Sequence, residues 1–172
     1  MPSVTEDRDE ITQNMYRYGH TWDNQDAEGW ADVFTEDGYY YDGGGKEVVG
    51  REALVAYARQ FGPDYSGRFH IVTNPFIAVE GDTAKAHSYF LIVEGLTPCL
   101  SGTYDDQVVR TPKGWRIKRR VVSVLHPAEF VDVSGAYGGA PGTRYKFPIA
   151  GHDMAAWVLS PSAGGGWQHR RR

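Results

Sequence analysis

Arg68-Phe-His-Ile-Val-Thr-Asn-Pro-Phe-Ile-Ala-Val-Glu80 opens a region in which the apolar period drops to two. Three more segments of the same kind follow, at 85–95, 100–110 and 115–126. The turn signals Gly81-Asp82, Thr97-Pro98 and Thr111-Pro112-Lys113-Gly114 separate them. Long consecutive strands joined by tight turns predict an antiparallel, strongly curved meander. Upstream of residue 68 the period is helical. Ile11, Met15, Tyr18 and Trp22 recur at four, three and four residues, the stripe of an amphipathic helix. Thr5-Glu6-Asp7 supplies a cap candidate and acids at its start, although Arg8 in place of Glu leaves no clean capping box in that frame. A short second helix fits 26–34, Tyr39-Tyr40-Tyr41 reads as a strand, and Gly43-Gly44-Gly45 as a loop. A third helix fits Arg51–Phe61, ended by Gly62-Pro63. Three helices ahead of such a sheet predict an α+β fold, with the helices packed on one sheet face.

Composition narrows the function classes. The chain has 172 residues and a formal charge of −4, so it lacks the basic surplus that tracks phosphates, and nucleic acid is not the expected partner. Aromatic residues reach 13%, including 11 Tyr and 5 Trp, enough to build a core and also to line a pocket with rings that carry polar tips. Cys99 is the single cysteine, which excludes an intrachain disulfide and makes a reducing compartment the default. The acidic start lacks an apolar stretch, and the longest apolar run, Tyr89-Phe-Leu-Ile-Val93, is far short of the roughly 20 residues that span a bilayer. The expectation is a cytoplasmic protein with no membrane partner. No domain boundary is expected before about residue 128, giving a domain at 1–128 and a C-terminal extension at 129–172. Within the extension, 147–159 is expected to dock as a lid or clasp, and the Gly-rich and Arg-rich end to be flexible.

Dinucleotide, phosphate-loop, nucleophile-elbow and zinc-protease motifs are absent from the sequence. The six histidines have no metal-ligand spacing, so neither a metal nor a cofactor is expected. Asp23 stands at the C-terminal end of the first helix, where the helix dipole disfavours a carboxylate. His70 shares a strand face with Arg68, Val72 and Asn74. An imidazole oriented by a carboxylate is a ready general base near neutral pH. A loop anchor and a core histidine are the bland alternatives for the two residues. Arg119, in phase with Trp115 and Ile117, is the arginine expected to point inward, ahead of Arg110, while Arg116-Ile-Lys-Arg-Arg120 is otherwise mostly the outward face of a strand.

These residues fall into an ordered set that resembles the SnoaL-like branch of the nuclear transport factor 2-like superfamily over about residues 5–127. The set runs Ile11, Tyr18, Asp23; Trp30, Phe34-Thr-Glu-Asp-Gly38; Val49-Gly-Arg-Glu-Ala-Leu54; His70-Ile-Val-Thr-Asn74; Ala84, Ala86, Ser88-Tyr89; Ser101-Gly102, Tyr104, Asp106; and Gly114-Trp-Arg-Ile117. The resemblance implies a cone-shaped α+β barrel, a curved antiparallel or mixed sheet wrapped on three N-terminal helices, with an apolar pocket inside. Family members include scytalone dehydratase, the bile-acid 7α-dehydratase, hexachlorocyclohexane dehydrochlorinase and polyketide cyclases. In the dehydratases and the dehydrochlorinase an Asp–His dyad does the chemistry, and Asp23 and His70 match it. Tyr18 matches a tyrosine five residues before that Asp in the bile-acid enzyme, and Arg119 is the candidate for an inward arginine that aids the leaving group. His87 is not carried over to the second catalytic histidine of scytalone dehydratase.

What the resemblance implies is a cofactor-independent lyase, eliminating water or a comparable group from a hydrophobic cyclic substrate such as a steroid, terpenoid or polyketide. Asp23, His70, Tyr18 and Arg119 are the catalytic candidates. Trp22, Tyr40, Asn74, Tyr89 and Tyr104 are the substrate-binding candidates. A polyketide or terpenoid cyclase or isomerase using the same pocket is the alternative. A rival of another class is a non-catalytic small-molecule binder or a β-type subunit of a ring-hydroxylating dioxygenase. Assembly as a homodimer or homotrimer is expected.

Overall fold

A computed structural model describes residues 2–95 and 97–125, and the expected lid or clasp at 147–159 lies outside them. The chain order is α1 (Val4–Asp23), α2 (Ala27–Ala31), β1 (Phe34–Tyr41), β2 (Glu47–Val49), α3 (Arg51–Phe61), a 3₁₀ turn (Gly62–Tyr65), β3 (Arg68–Glu80), β4 (Thr83–Glu94), β5 (Thr97–Thr111) and β6 (Gly114–Leu125). The strands form one six-stranded sheet in the order β2-β1-β6-β5-β4-β3. The last four make the antiparallel meander predicted from residue 68 onward. β1 joins it parallel to β6, so the sheet is mixed.

The N-cap of helix α1 lies two residues before Thr5. Ser3 is its N-cap, accepting from the Glu6 N–H, while the Glu6 carboxylate accepts from the Ser3 N–H. Such a reciprocal box stabilises a helix start by about 1 kcal/mol. The predicted stripe is buried: Ile11, Met15, Tyr18 and Trp22 all pack inward. α2 is shorter than expected because the Val33 carbonyl is taken by the Ile117 N–H and by Asn14 Nδ2, both at 2.9 Å, which draws the chain into the sheet. β2 has three residues, too few for a period to show in sequence.

Two single-residue bulges decide which side chains face the helices. On β3 the register passes from Thr73 opposite Tyr89 to Phe76 opposite His87, so three residues span what two span on β4. On β6 it passes from Ile117 opposite Val108 to Arg119 opposite Gln107, with one extra residue, Lys118. A bulge reverses the alternation beyond it. His70 and Val72 therefore turn toward the helices before the β3 bulge, and Ile77 after it; on β6, Trp115 and Ile117 are buried before the bulge and Arg120 and Val122 after it. At the centre of the sheet Gly102 has no room for a side chain, since a Cβ there would lie 2.0 Å from the Ser123 carbonyl oxygen and 2.7 Å from the Phe90 ring.

The enclosed side holds two apolar clusters. Ile11, Met15, Ile77, Ala84, Ala86, Val108 and Trp115 close one end. The larger cluster is dominated by rings, among them Tyr18, Trp22, Trp30, Phe34, Tyr40, Phe90 and Tyr104. Arg110 ties the first cluster to the start of α1. It bonds Asp7 and Asp82 and lies over the Trp115 ring, whose indole N–H also donates to Asp7.

Candidate active site

The last turn of α1 meets the start of β3 at Gly19. A Cβ on that residue would lie 3.0 Å from the His70 Cβ, a tight contact that glycine avoids. Four residues on, the Asp23 carboxylate grips His70 twice. Oδ1 is 2.6 Å from the ring Nδ1, and Oδ2 accepts from the His70 backbone N–H at 2.8 Å. The His70 side chain is 5% exposed and that of Asp23 15%, a nearly dry pair reachable from one side. An ionised carboxylate only accepts, so Nδ1 carries the proton and Nε2 is left with the lone pair of a base. The two residues, 47 apart in sequence, come together as the sequence reading expected.

The Tyr18 ring stands perpendicular to the imidazole with centroids 6.1 Å apart, and Tyr65 lies along its other side at 6.4 Å. The Tyr18 hydroxyl donates to the Tyr40 hydroxyl at 3.2 Å. Beneath them is a buried ion pair. Arg120 donates through Nε and Nη2 to the two oxygens of Asp106 at 2.7 and 2.6 Å, with both side chains fully buried. Its guanidinium sits 4.2 Å from both the Tyr18 and the Tyr104 ring centroid, two rings that meet edge to face beside it. The third nitrogen, Nη1, has no partner.

The electrostatics follow from this packing. Burial pushes the Tyr40 and Tyr104 phenols well above their ordinary value. Tyr18 is also pushed up by burial, but the adjacent Arg120 opposes the shift. Burial disfavours the Arg120 charge too, yet the attraction and paired hydrogen bonds of Asp106 outweigh it and keep the guanidinium charged. Desolvation lifts the Asp106 carboxyl, with Arg120 pulling against it.

A SnoaL-like domain model matches residues 3–121. The chain belongs to the SnoaL-like family. An uncharacterised protein of Mycobacterium tuberculosis is 34% identical over 135 residues, covering 70% of this chain and 88% of its own length. Among solved structures, an NTF2-like protein with a cystatin-like fold from Novosphingobium aromaticivorans is 33% identical with a TM-score of 0.63, over 71% of this chain and 84% of that one. A candidate scytalone dehydratase from the same organism also has a TM-score of 0.63, at 24% identity over 71% and 86% of the two chains, a likeness of fold.

Within this SnoaL-like frame the remaining candidates separate cleanly. Trp22, Tyr40 and Tyr104 lie on the enclosed side, buried among the rings. Arg119 does not point inward. It is partly exposed and lies over the Tyr39 ring at 4.9 Å, because the extra residue Lys118 reverses the phase that Trp115 and Ile117 had set. The buried arginine is its neighbour Arg120, a residue that counting by two from Trp115 placed on the outer face. Asn74 sits in the β3 bulge with φ +51°, exposed, its Oδ1 accepting from the Thr73 hydroxyl, so it does not share the face of His70. Tyr89 is 37% exposed on the outer face, where Phe69, Ile71 and Phe76 also surface. That face carries a second His–Asp contact, His87 Nδ1 to Asp105 Oδ1 at 2.7 Å, which sequence reasoning did not anticipate. Among the described residues no group of three His, Cys, Asp or Glu side chains is placed to hold a metal ion. No helix among them is long and apolar enough to cross a membrane.

Proposed function

We propose that the chain is a cofactor-independent lyase that eliminates water, or a comparable leaving group, from a hydrophobic cyclic substrate. The double grip of Asp23 on His70 carries this reading. It fixes the ring orientation through the backbone contact and the tautomer through Nδ1, leaving Nε2 to act as the base. His70 takes a proton from a carbon next to a carbonyl. The electron pair of that C–H bond forms the new double bond as the β-hydroxyl departs, and the hydroxyl leaves as water with a proton from Tyr18. The Tyr18 phenol stays protonated at neutral pH because its burial favours the neutral form. Arg120 takes the part first expected of Arg119, since its unpartnered Nη1 offers a fixed positive donor in a dry interior. Asp23 stabilises the imidazolium that forms, as the carboxylate does in a hydrolase triad.

The packing also supports the substrate class. Tyr18, Trp30, Tyr40, Phe90 and Tyr104 present faces and edges to one another at centroid separations of 4.5 to 6.4 Å, surroundings that suit a flat, apolar body. On the α3 side, Leu54 and Ala58 are buried and the Tyr57 ring lies against Trp22, Trp30 and Tyr40, while Arg51 to Asp32 and Arg59 to Glu28 tie the helix at the surface.

The test is a panel of β-hydroxy ketones built on steroid, terpenoid and polyketide rings, assayed by mass spectrometry for loss of water. His70→Ala and Asp23→Asn are each expected to lower turnover by about 10² to 10⁴ while leaving the circular dichroism unchanged. Wild-type turnover by His70→Ala overturns the mechanism. Solvent deuterium entering the substrate without loss of water would turn the assignment to an isomerase.

A further inference from the structure

Two aromatic rings stand beside the His70 imidazole, and they are held very differently. Tyr18 is buried, its hydroxyl bonds that of Tyr40, and the rings of Trp30, Phe34 and Tyr104 pack round it. Tyr65 lies nearly parallel to the imidazole, at 29°, and meets Trp22 edge to face at 5.7 Å. It is only half-buried, and among the described residues its hydroxyl has no hydrogen-bond partner. Its remaining neighbour is the Arg68 guanidinium, 5.7 Å from the ring centroid and paired with Glu94 across the strand, Nε to Oε2 at 3.2 Å. Ring and cation contacts of this kind are individually weak at a surface.

The backbone that carries Tyr65 is held lightly too. The 3₁₀ turn Gly62–Tyr65 has no side-chain cap, and glycine stands at its start and two residues past its end. A Cβ at Gly62 or Gly67 would meet no atom within 4 Å, and Gly67 has φ +83°, so both positions can act as pivots. With the His70 side chain 5% exposed, a reactant reaches Nε2 only when a neighbour moves aside, and of the two rings Tyr65 is the one that solvent already touches. We infer that Tyr65 is a shutter over the dyad: its ring fills the place beside the imidazole that a flat, apolar ring of the ligand takes when the 62–67 turn swings out. The place so vacated is one ring in size, with the imidazole on one side and Trp22 on another, so it needs no cavity to be present beforehand. The shutter stands on this packing and does not depend on the elimination chemistry.

The test is the rate at which diethyl pyrocarbonate labels His70 in the full chain, read by mass spectrometry of its peptides. The neutral Nε2 attacks a carbonyl carbon of the reagent and keeps the ethoxycarbonyl group, while ethyl carbonate leaves, so no substrate is needed. His20, exposed on α1, reports the strength of the reagent, and His87, buried on the other sheet face, reports general loosening. Tyr65→Ala is expected to speed the labelling of His70 at least about tenfold, with His20 and His87 unchanged. Tyr65→Phe keeps the ring and is expected to stay within about twofold of wild type. Toluene, which reproduces the side chain of phenylalanine, is expected to slow His70 labelling in Tyr65→Ala and to leave the wild type unaffected at the same concentration. A wild-type rate in Tyr65→Ala, a rise at His87 that matches the rise at His70, or a failure of toluene to protect the Ala variant each overturns the proposal. Should Tyr65→Ala fail to fold, Arg68→Ala carries the test: it removes one hold on the ring and is expected to speed His70 labelling about two- to threefold, and an unchanged rate overturns the proposal. Absence of turnover on every β-hydroxy ketone would leave these rates as they are, and rates that contradict the shutter would leave the lyase reading standing.

Discussion

The Arg120–Asp106 pair offers the sharpest test of how the interior is held. Asp106→Asn keeps the shape of the side chain and removes its charge, leaving a guanidinium with no counterion in a fully buried site. The amide can accept one of the two hydrogen bonds, but its NH₂ group then faces a second donor. Breaking a buried ion pair from one side costs about 3–5 kcal/mol. For a body of this size that corresponds to a fall in Tm on the order of 10–20 °C. Removing both charges together, as Asp106→Leu with Arg120→Met, replaces the pair by apolar volume and is expected to recover at least about 2 kcal/mol of that loss, since such replacements are often neutral or stabilising. Urea denaturation followed by circular dichroism measures all three proteins. A cost below about 1 kcal/mol for Asp106→Asn, the range of a solvated pair, would refute the reasoning, because water would then be reaching the guanidinium. So would a double variant less stable than the single one.

Three further outcomes are expected. Gly102→Ala places a methyl 2.0 Å from the Ser123 carbonyl oxygen and is expected to cost about 2–3 kcal/mol or to prevent folding; a Tm within a degree or two of wild type would show that the strands separate easily there. The Asp7 carboxyl is held below its ordinary value by hydrogen bonds from Arg110 and Trp115, so it contributes stability that is present above the unfolded value, near 4, and is lost as pH falls through the lower folded value. Asp7→Asn should therefore flatten the acid limb of a Tm-versus-pH curve, and an unchanged limb would remove Asp7 from the explanation. At the other extreme, the phenols of Tyr18, Tyr40 and Tyr104 are pushed up by burial, and the unfolded chain releases those protons first. Stability is thus expected to fall above about pH 10, with tyrosinate absorbance for these rings rising together with unfolding instead of before it.

Much of this arrangement was legible in the sequence because strong periodic signals coincide with burial. The α1 stripe, the bounds of α3 and β3 and the meander all follow from spacing that the core then uses. Asp23 and His70 were findable because each is odd in its place: a carboxylate at the negative end of a helix, and a histidine on an inward strand face. Arg120 was not, and the reason is geometric. Counting by two from Trp115 is sound until Lys118 adds a residue, and nothing in Arg116-Ile-Lys-Arg-Arg120 marks that bulge, since its partner irregularity lies on β5 at Gln107 and Val108. Asn74 failed in the same way on β3, although Asn-Pro at 74–75 is the kind of pair that interrupts a strand. Tyr89, a substrate-binding candidate, lies outside because parity on β4 puts Ser88 and Phe90 inside.

The grip of Asp23 on the backbone of His70 has a consequence for how the chain behaves among copies of itself. Among the described residues β3 is an edge strand of the sheet, and an open edge is a template for any other strand that passes. At His70 the N–H that faces away from β4 is already bound to a carboxylate from α1, and a few residues on, Pro75 has no N–H to offer within a bulge. An incoming strand would find one donor taken and, a few residues on, another missing beside a break in register. The aspartate that orients the imidazole thus also occupies a donor at the edge of the sheet.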